Sequence, residues 1–332
     1  MNYIGSKHKL SAFIIAQMKK HVPSLAQKTF AELFAGTGII ARRLKKEAKK
    51  IIVNDVEPYS YALLKNYIGN QQLIPDIDHY AEKLQELAPQ KGFIFEQYSA
   101  GGKAERQYFT AENGQMIDAI RLTIKEWKGQ KMIEEDIYYM LLTSLLESAD
   151  KVANTASVYG AYLKHIKKSA QKPLCFSLAY FEESNNEVQV FQQEANQLIN
   201  TIQGDVLYLD PPYNARQYGA NYHLLNTIAL YDSFQPQGKT GLRDYQKSPY
   251  CQKNEAPQAL EDLLQKADFE HVFMSYNNEG IIPIETIQQI FKQFGKYELQ
   301  QVTYQRFKAD KDQNRTHKSQ STYEYLHILT KK

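Results

Sequence analysis

Apolar and polar positions change period along this chain. In KTFAELFAGTGIIARRLKKEAKKIIVNDVEPYSYALLKNYI, residues 29–34 form an apolar run of strand length, and 39–50 have helical spacing that turns Ile39, Ile40 and Leu44 inward. Residues 51–54 make a second apolar run, and 58–68 a second helical stretch. Strand, helix, strand, helix in succession predicts a parallel sheet with crossover helices.

From about residue 71 the period becomes helical and stays so until Val188. Thr110 is placed to cap a helix carrying Ile117, Ile120, Ile124 and Trp127, with Gly129 as its stop. EEDIYYMLLTSLLESADKV then sets Ile137, Leu141, Leu145 and Ala149 on one face. The α/β alternation resumes with EVQVFQQEANQLI, the strands DVLYLD and HVFMSY, a helix near residues 285–294, and two strands around 299–307 and 323–329. No helix separates that last pair, so an antiparallel sheet edge is expected. The division predicted is a sheet domain from residues 1–70 and 188–332, interrupted by a largely helical insertion, 71–187.

Composition narrows the class without deciding the function. The 332 residues are 43% hydrophobic and 23% charged, ordinary for a soluble globular protein. A net charge of +3 permits a nucleic-acid partner without demanding one. Cys175 and Cys251 have neither metal-type nor redox-type spacing, and read as plain thiols of a reducing compartment. With no membrane-length apolar run and no leader-like segment, a cytoplasmic protein is expected, with no membrane partner.

Two stretches carry chemistry. ELFAGTG places Gly36 and Gly38 at the first strand-to-helix turn, where a backbone without Cβ lets a ligand approach. Asp55 ends the next strand, where nucleoside-binding sheets set a carboxylate on the ribose hydroxyls; Glu57 competes for that role. Ala41 stands where a third glycine would complete a dinucleotide fingerprint, which favours a mononucleoside-like cofactor. In VLYLDPPYNARQYGANYH, Asp210 ends a buried strand, Pro211 and Pro212 stiffen the turn, and Tyr213 offers an aromatic face. The Asp210 carboxylate and the Pro211 carbonyl are two acceptors for an exocyclic amino group, beside a ring on which a base can stack.

DPPY at 210–213, ELFAGTG at 32–38, NDVE at 54–57 and NYIGSKHKL at 2–10 resemble the Dam-like adenine-N6 DNA methyltransferases, as does YFTAENGQMIDAIR at 108–121. The resemblance implies a Rossmann-like, S-adenosylmethionine-dependent sheet, mostly parallel with an antiparallel edge. It implies Asp210, Pro211, Pro212 and Tyr213 as the catalytic motif, and Tyr3, Ile4, Lys7, Phe34, Gly36, Gly38 and Asp55 around S-adenosylmethionine, with no metal. Lys7 is expected near the cofactor's carboxylate. Double-stranded DNA is the implied substrate, the insertion a target-recognition region, and a cognate restriction endonuclease the implied functional partner of a nucleoid-associated enzyme. Glu194 departs from the aspartate usual in such enzymes, which leaves its role open.

Arg216, Arg243, Lys247, Arg306, Lys308 and Arg315 are candidate nucleic-acid contacts, and SVYGAYLKHIKKSA is a further basic, aromatic-bearing stretch. A solvated charged loop explains each of these equally well. The amino-group chemistry also fits an RNA adenine or guanine methyltransferase. Cytosine-N4 transfer fits less well, because serine commonly replaces the leading acid there. A binding module without catalysis should have lost a glycine or an acid of the motifs, and all are present.

Overall fold

A computed structural model describes residues 7–304 and 322–331. Among the described residues seven strands form one sheet: β1 (Thr29–Glu32), β2 (Lys50–Asn54), β3 (Glu187–Phe191), β4 (Gln203–Leu209), β5 (Asp268–Asn277), β6 (Gly295–Tyr304) and β7 (Thr322–Lys331). Their spatial order is β3-β2-β1-β4-β5-β7-β6. β1 to β5 pair in parallel, and β7 lies antiparallel between β5 and β6. This is the mostly parallel sheet with an antiparallel edge that the alternation predicts, in the Rossmann-like form that the resemblance implies.

The order explains where a ligand belongs. From β1 the chain steps outward through β2 to β3, then returns to place β4 on the other side of β1. The reversal lies between β1 and β4, and open α/β sheets bind ligands outside the carboxyl ends of strands at such a switch point. The turn holding Gly36 and Gly38 leaves β1, and Asp210 follows β4.

The described residues fall into two compact units. One comprises Glu57–Ser184 and Tyr218–Gln246; the other comprises the described parts of Ser6–Val56, Asn185–Gln217 and Lys247–Lys332 and contains the whole sheet. Each has its own core. In the sheet unit, Ala31, Leu207, Leu209, Val272 and Met274 from adjacent strands meet Leu260, Leu263 and Phe291 from the covering helices Ala256–Lys266 and Ile284–Phe294. In the helical unit, Ile117, Ile120 and Ile124 of helix Ala111–Gly129 meet Leu141, Leu145 and Ala149 of helix Glu135–Val152. The Thr110 side chain accepts the Asn113 N–H and caps the first of these helices.

Several boundaries differ from the sequence reading. The helix after β1 ends at Leu44 rather than at residue 50, because Lys50 is already paired with Thr29 and the chain needs the intervening residues to return to the sheet. Helix Ser11–His21 precedes β1 and buries Ile14, Ile15 and Met18, an element that strand–helix alternation does not announce. Residues 218–246, expected with the sheet, belong to the helical unit, where helix His223–Leu230 buries Leu224, Leu225 and Ile228 in that unit's core. No helix among the described residues is long and apolar enough to cross a membrane.

Candidate active site

The first turn is shaped by its glycines. Gly36 and Gly38 have φ of 54° and 68°, the left-handed region that residues with a Cβ rarely adopt. Gly36 N–H donates to Asp55 Oδ2 at 2.7 Å, which fixes the carboxylate at the end of β2 against the turn after β1. Asn54 beside it donates to the carbonyls of Leu33 and Gln193 and accepts the Gln193 N–H, tying together the ends of β1, β2 and β3. Phe34 is half-buried and meets the Tyr250 ring edge-on, with centroids 5.0 Å apart. Asp55 is also half-buried, so the turn presents a carboxylate and an aromatic ring together.

The second turn gathers around Asp210, whose side chain is 18% exposed. Lys7 Nζ lies 2.8 Å from Asp210 Oδ1 and is itself only 4% exposed. Among the described residues Oδ2 accepts no hydrogen bond. Burial disfavours the Lys7 ammonium, but Asp210 and then Glu324 more than offset this, and its pKa is raised. Burial raises the Asp210 carboxyl above the ordinary aspartate value, and Lys7 opposes that rise. The cation expected beside the cofactor is therefore ion-paired with the motif acid.

Tyr213 is braced from behind. Its ring meets that of Tyr276 edge-on at 6.3 Å, and its carbonyl accepts the Ile281 N–H. Gly280 lets Tyr276 come close, since a Cβ there would stand 2.1 Å from Tyr276 Cε1. Lys7 Nζ lies 5.8 Å from the Tyr213 ring centroid. Pro211 is buried, while Pro212 is half-exposed.

Two acids that sequence reading left without a role lie close by. Glu32, at the end of β1, is buried and accepts the Ala41 N–H; burial, with Asp210 and Asp55 nearby, holds its carboxyl well above the usual range. Glu324 on β7 is raised to about 7, chiefly by burial, with Lys7 pulling it down and Asp210 pushing it up. ELFAGTG contains Glu32, so an acid inside an otherwise apolar strand was the available signal. Nothing local marks Glu324, since only the pairing of β7 with β5 brings it here.

The remaining candidates separate. Arg216 is exposed, and its N–H binds Asn214 Oδ1. Lys247 is exposed. Arg243 belongs to the helical unit, where it forms a two-bond pair with Asp232 and covers the Phe234 ring. Glu57 is in the helical unit too, accepting from Asn226 at 2.6 Å. Glu194 caps helix Ala195–Leu198 by accepting the Gln197 N–H. Tyr3, Ile4, Arg306, Lys308 and Arg315 lie outside the described residues.

The chain is 56% identical over 334 residues to the type II methyltransferase M.NlaIII of Neisseria lactamica, covering 100% of this chain and 99% of that protein. It is 36% identical to M.CviAII of Paramecium bursaria Chlorella virus 1, over 93% of each. Against M.FokI of Planomicrobium okeanokoites it is 38% identical over its whole length but spans only 53% of that relative. The family model for D12 class N6 adenine-specific DNA methyltransferases matches residues 3–290. The chain therefore belongs to the D12 class of N6 adenine-specific DNA methyltransferases.

Proposed function

We propose that this enzyme methylates adenine N6 at a specific site in duplex DNA within a restriction-modification system, with Asp210, Pro211, Pro212 and Tyr213 acting on the target base. The observation that carries the reading is the division of labour on Asp210: one carboxylate oxygen is held by a buried ammonium, and the other has no partner among the described residues. A carboxylate fixed in this way is an oriented acceptor at the end of a switch-point strand. The near-complete match to a type II methyltransferase supports the restriction-modification setting, in which a cognate endonuclease would be the functional partner.

The glycine turn suits S-adenosylmethionine. Gly36 and Gly38 open the backbone, Asp55 supplies acceptors for ribose hydroxyls, and Phe34 offers an apolar face, with Tyr3 and Ile4 assigned to the same site. When bound, the cofactor supplies an electrophilic methyl group on a sulfonium. Lys7 serves Asp210 first; as an ammonium with three donors it retains the chemistry to meet a cofactor carboxylate as well.

An adenine amino nitrogen is a poor nucleophile because its lone pair is delocalised into the ring. Asp210 Oδ2 and the Pro211 carbonyl each accept one of its N–H groups, which directs the lone pair out of the ring plane. Positive charge then grows on that nitrogen, and the adjacent carboxylate, already oriented, stabilises it. The nitrogen must finally shed a proton, and the raised proton affinity of Asp210 suits its Oδ2 to receive it. A base inside a duplex cannot reach this turn, so it must leave the stack, at a cost of a few kcal/mol. Stacking on Tyr213 offsets that by about 1–3 kcal/mol.

The test is transfer of labelled methyl from S-adenosylmethionine to duplex DNA, with nucleoside mass spectrometry and a structured RNA alongside. N6-methyladenine in DNA is expected. Label confined to RNA would move the substrate to the alternative considered from sequence.

A further inference from the structure

The helical unit contains a long irregular stretch whose charge is one-sided. Between Asp150 and Glu182 there is no acidic residue, yet the interval carries Lys151, Lys164, Lys167, Lys168 and Lys172. A chain of net charge +3 thus concentrates five cations in one acid-free interval. No regular element occupies the residues between helix Glu135–Val152 and β3. Irregular segments this long inside a compact unit usually have a function or are disordered.

This one is pinned. Asn154 is fully buried; its side chain donates to the carbonyls of Gln107 and Leu163 and accepts the Lys167 N–H, while its backbone bonds Tyr108 and Leu163. Asn113, also buried, donates to the carbonyls of Ala170 and Lys172 and accepts the Leu174 N–H. Lys167 turns inward onto the Thr155 carbonyl. Two buried asparagines therefore fix the backbone at both ends of residues 163–174, as a rigid scaffold fixes a binding loop.

What the scaffold displays is cationic. Lys164, Lys168 and Lys172 are exposed, and none of their ammonium groups has an ion pair or hydrogen bond among the described residues. Several cations elsewhere in the unit are already engaged: Arg243 by Asp232, Lys65 by Glu135, and Arg106 by the carbonyls of Gln97, Gly238 and Lys239. Exposed ammonium groups without internal anions, on a backbone already ordered, meet a polyanion at little further entropic cost.

We propose that the loop displaying Lys164, Lys168 and Lys172 grips the phosphate backbone of the DNA duplex, fixing its register without reading its sequence. This rests on the DNA-methylating reading above. The contact is made by backbone charge, so its signature is salt dependence: each phosphate neutralised contributes about 0.9 to the slope of log K against log salt.

The experiment measures binding of the full-length protein to one labelled duplex across a salt series, by fluorescence anisotropy. The variants are a Lys164→Ala/Lys168→Ala/Lys172→Ala triple, the same three changed to Arg, and a Lys83→Ala/Lys131→Ala control on exposed lysines elsewhere in the helical unit. Expected is a slope shallower by about 2–3 in the alanine triple, with wild-type slopes in the arginine triple and the control. An unchanged slope in the alanine triple, or an equal loss in the control, overturns the inference. A wild-type protein that neither binds nor methylates duplex DNA would instead overturn the reading beneath it.

Discussion

Asp210 in the sheet unit, largely buried, and Asp118 in the helical unit, fully buried, are both carboxyls whose proton affinity burial raises, yet their oxygens are used differently. Asp118 is saturated: it accepts the N–H groups of Gly92, Ile94 and Phe95 and the Tyr231 hydroxyl, capping the start of helix Phe93–Tyr98. Among the described residues Asp210 has one partner, Lys7, and an oxygen that accepts no hydrogen bond. The same contrast separates the cations. Arg121 is buried with Nε and Nη2 on the carbonyls of Ile228 and Ala229, at the end of helix His223–Leu230, and Nη2 also on the Tyr138 hydroxyl, whereas Lys7 pairs with a carboxylate. A buried charge satisfied by backbone builds structure, and one satisfied by a single opposite charge beside an open acceptor is prepared for chemistry.

Exchanging the lesion between the two aspartates gives the largest effects. Asp210→Ala should lower methyl transfer by at least ~10²–10³ while leaving S-adenosylmethionine affinity close to wild type, as measured by single-turnover assay and calorimetry. Asp118→Ala should do the reverse. Stranding three backbone N–H groups and a hydroxyl in the interior costs about 3–5 kcal/mol of stability, read from urea unfolding, with the transfer rate of the folded protein preserved. If both variants lost activity in proportion to their stability, the contrast would disappear.

A smaller effect is expected at Tyr213. Removing its ring should weaken capture of the flipped base by about 1–3 kcal/mol, a factor of roughly 5–150. The loss should shrink on a duplex in which the target adenine is mismatched, because such a base costs less to extrude. An equal loss on paired and mismatched targets would assign the ring to packing.

A further effect concerns Glu324. Its carboxyl titrates at about 7 in the fold against an ordinary 4.5, so between those values the folded state binds more protons than the unfolded chain. Stability must then fall as pH rises through that window. Wild type should lose more stability between pH ~5 and ~8 than Glu324→Gln, which cannot ionise. Parallel curves would remove Glu324 from the charge network of Lys7 and Asp210.

What the sequence discloses follows from the range of each interaction. The glycine turn, Asp55 and Asp210 were legible because strand ends in an α/β alternation are local features, and the strands fall within a few residues of their predicted places. The antiparallel edge was legible too, because no helical pattern separates the last two predicted strands. The Lys7–Asp210 pair joins residues some two hundred positions apart, and nothing near either one announces the other. Arg243 shows the complementary case: nothing in the sequence announces that this cation of a polar loop pairs with Asp232. Glu32 hid inside a motif prized for its glycines, although an acid in a buried strand must be neutral or paired.

The most direct measurement is the single-turnover rate of N6-methyladenine formation in duplex DNA by Asp210→Ala, at saturating S-adenosylmethionine and DNA. A rate reduced by at least ~10²–10³, with cofactor affinity kept, is predicted from Asp210 as the oriented acceptor for the target amino group. A rate equal to wild type would contradict it.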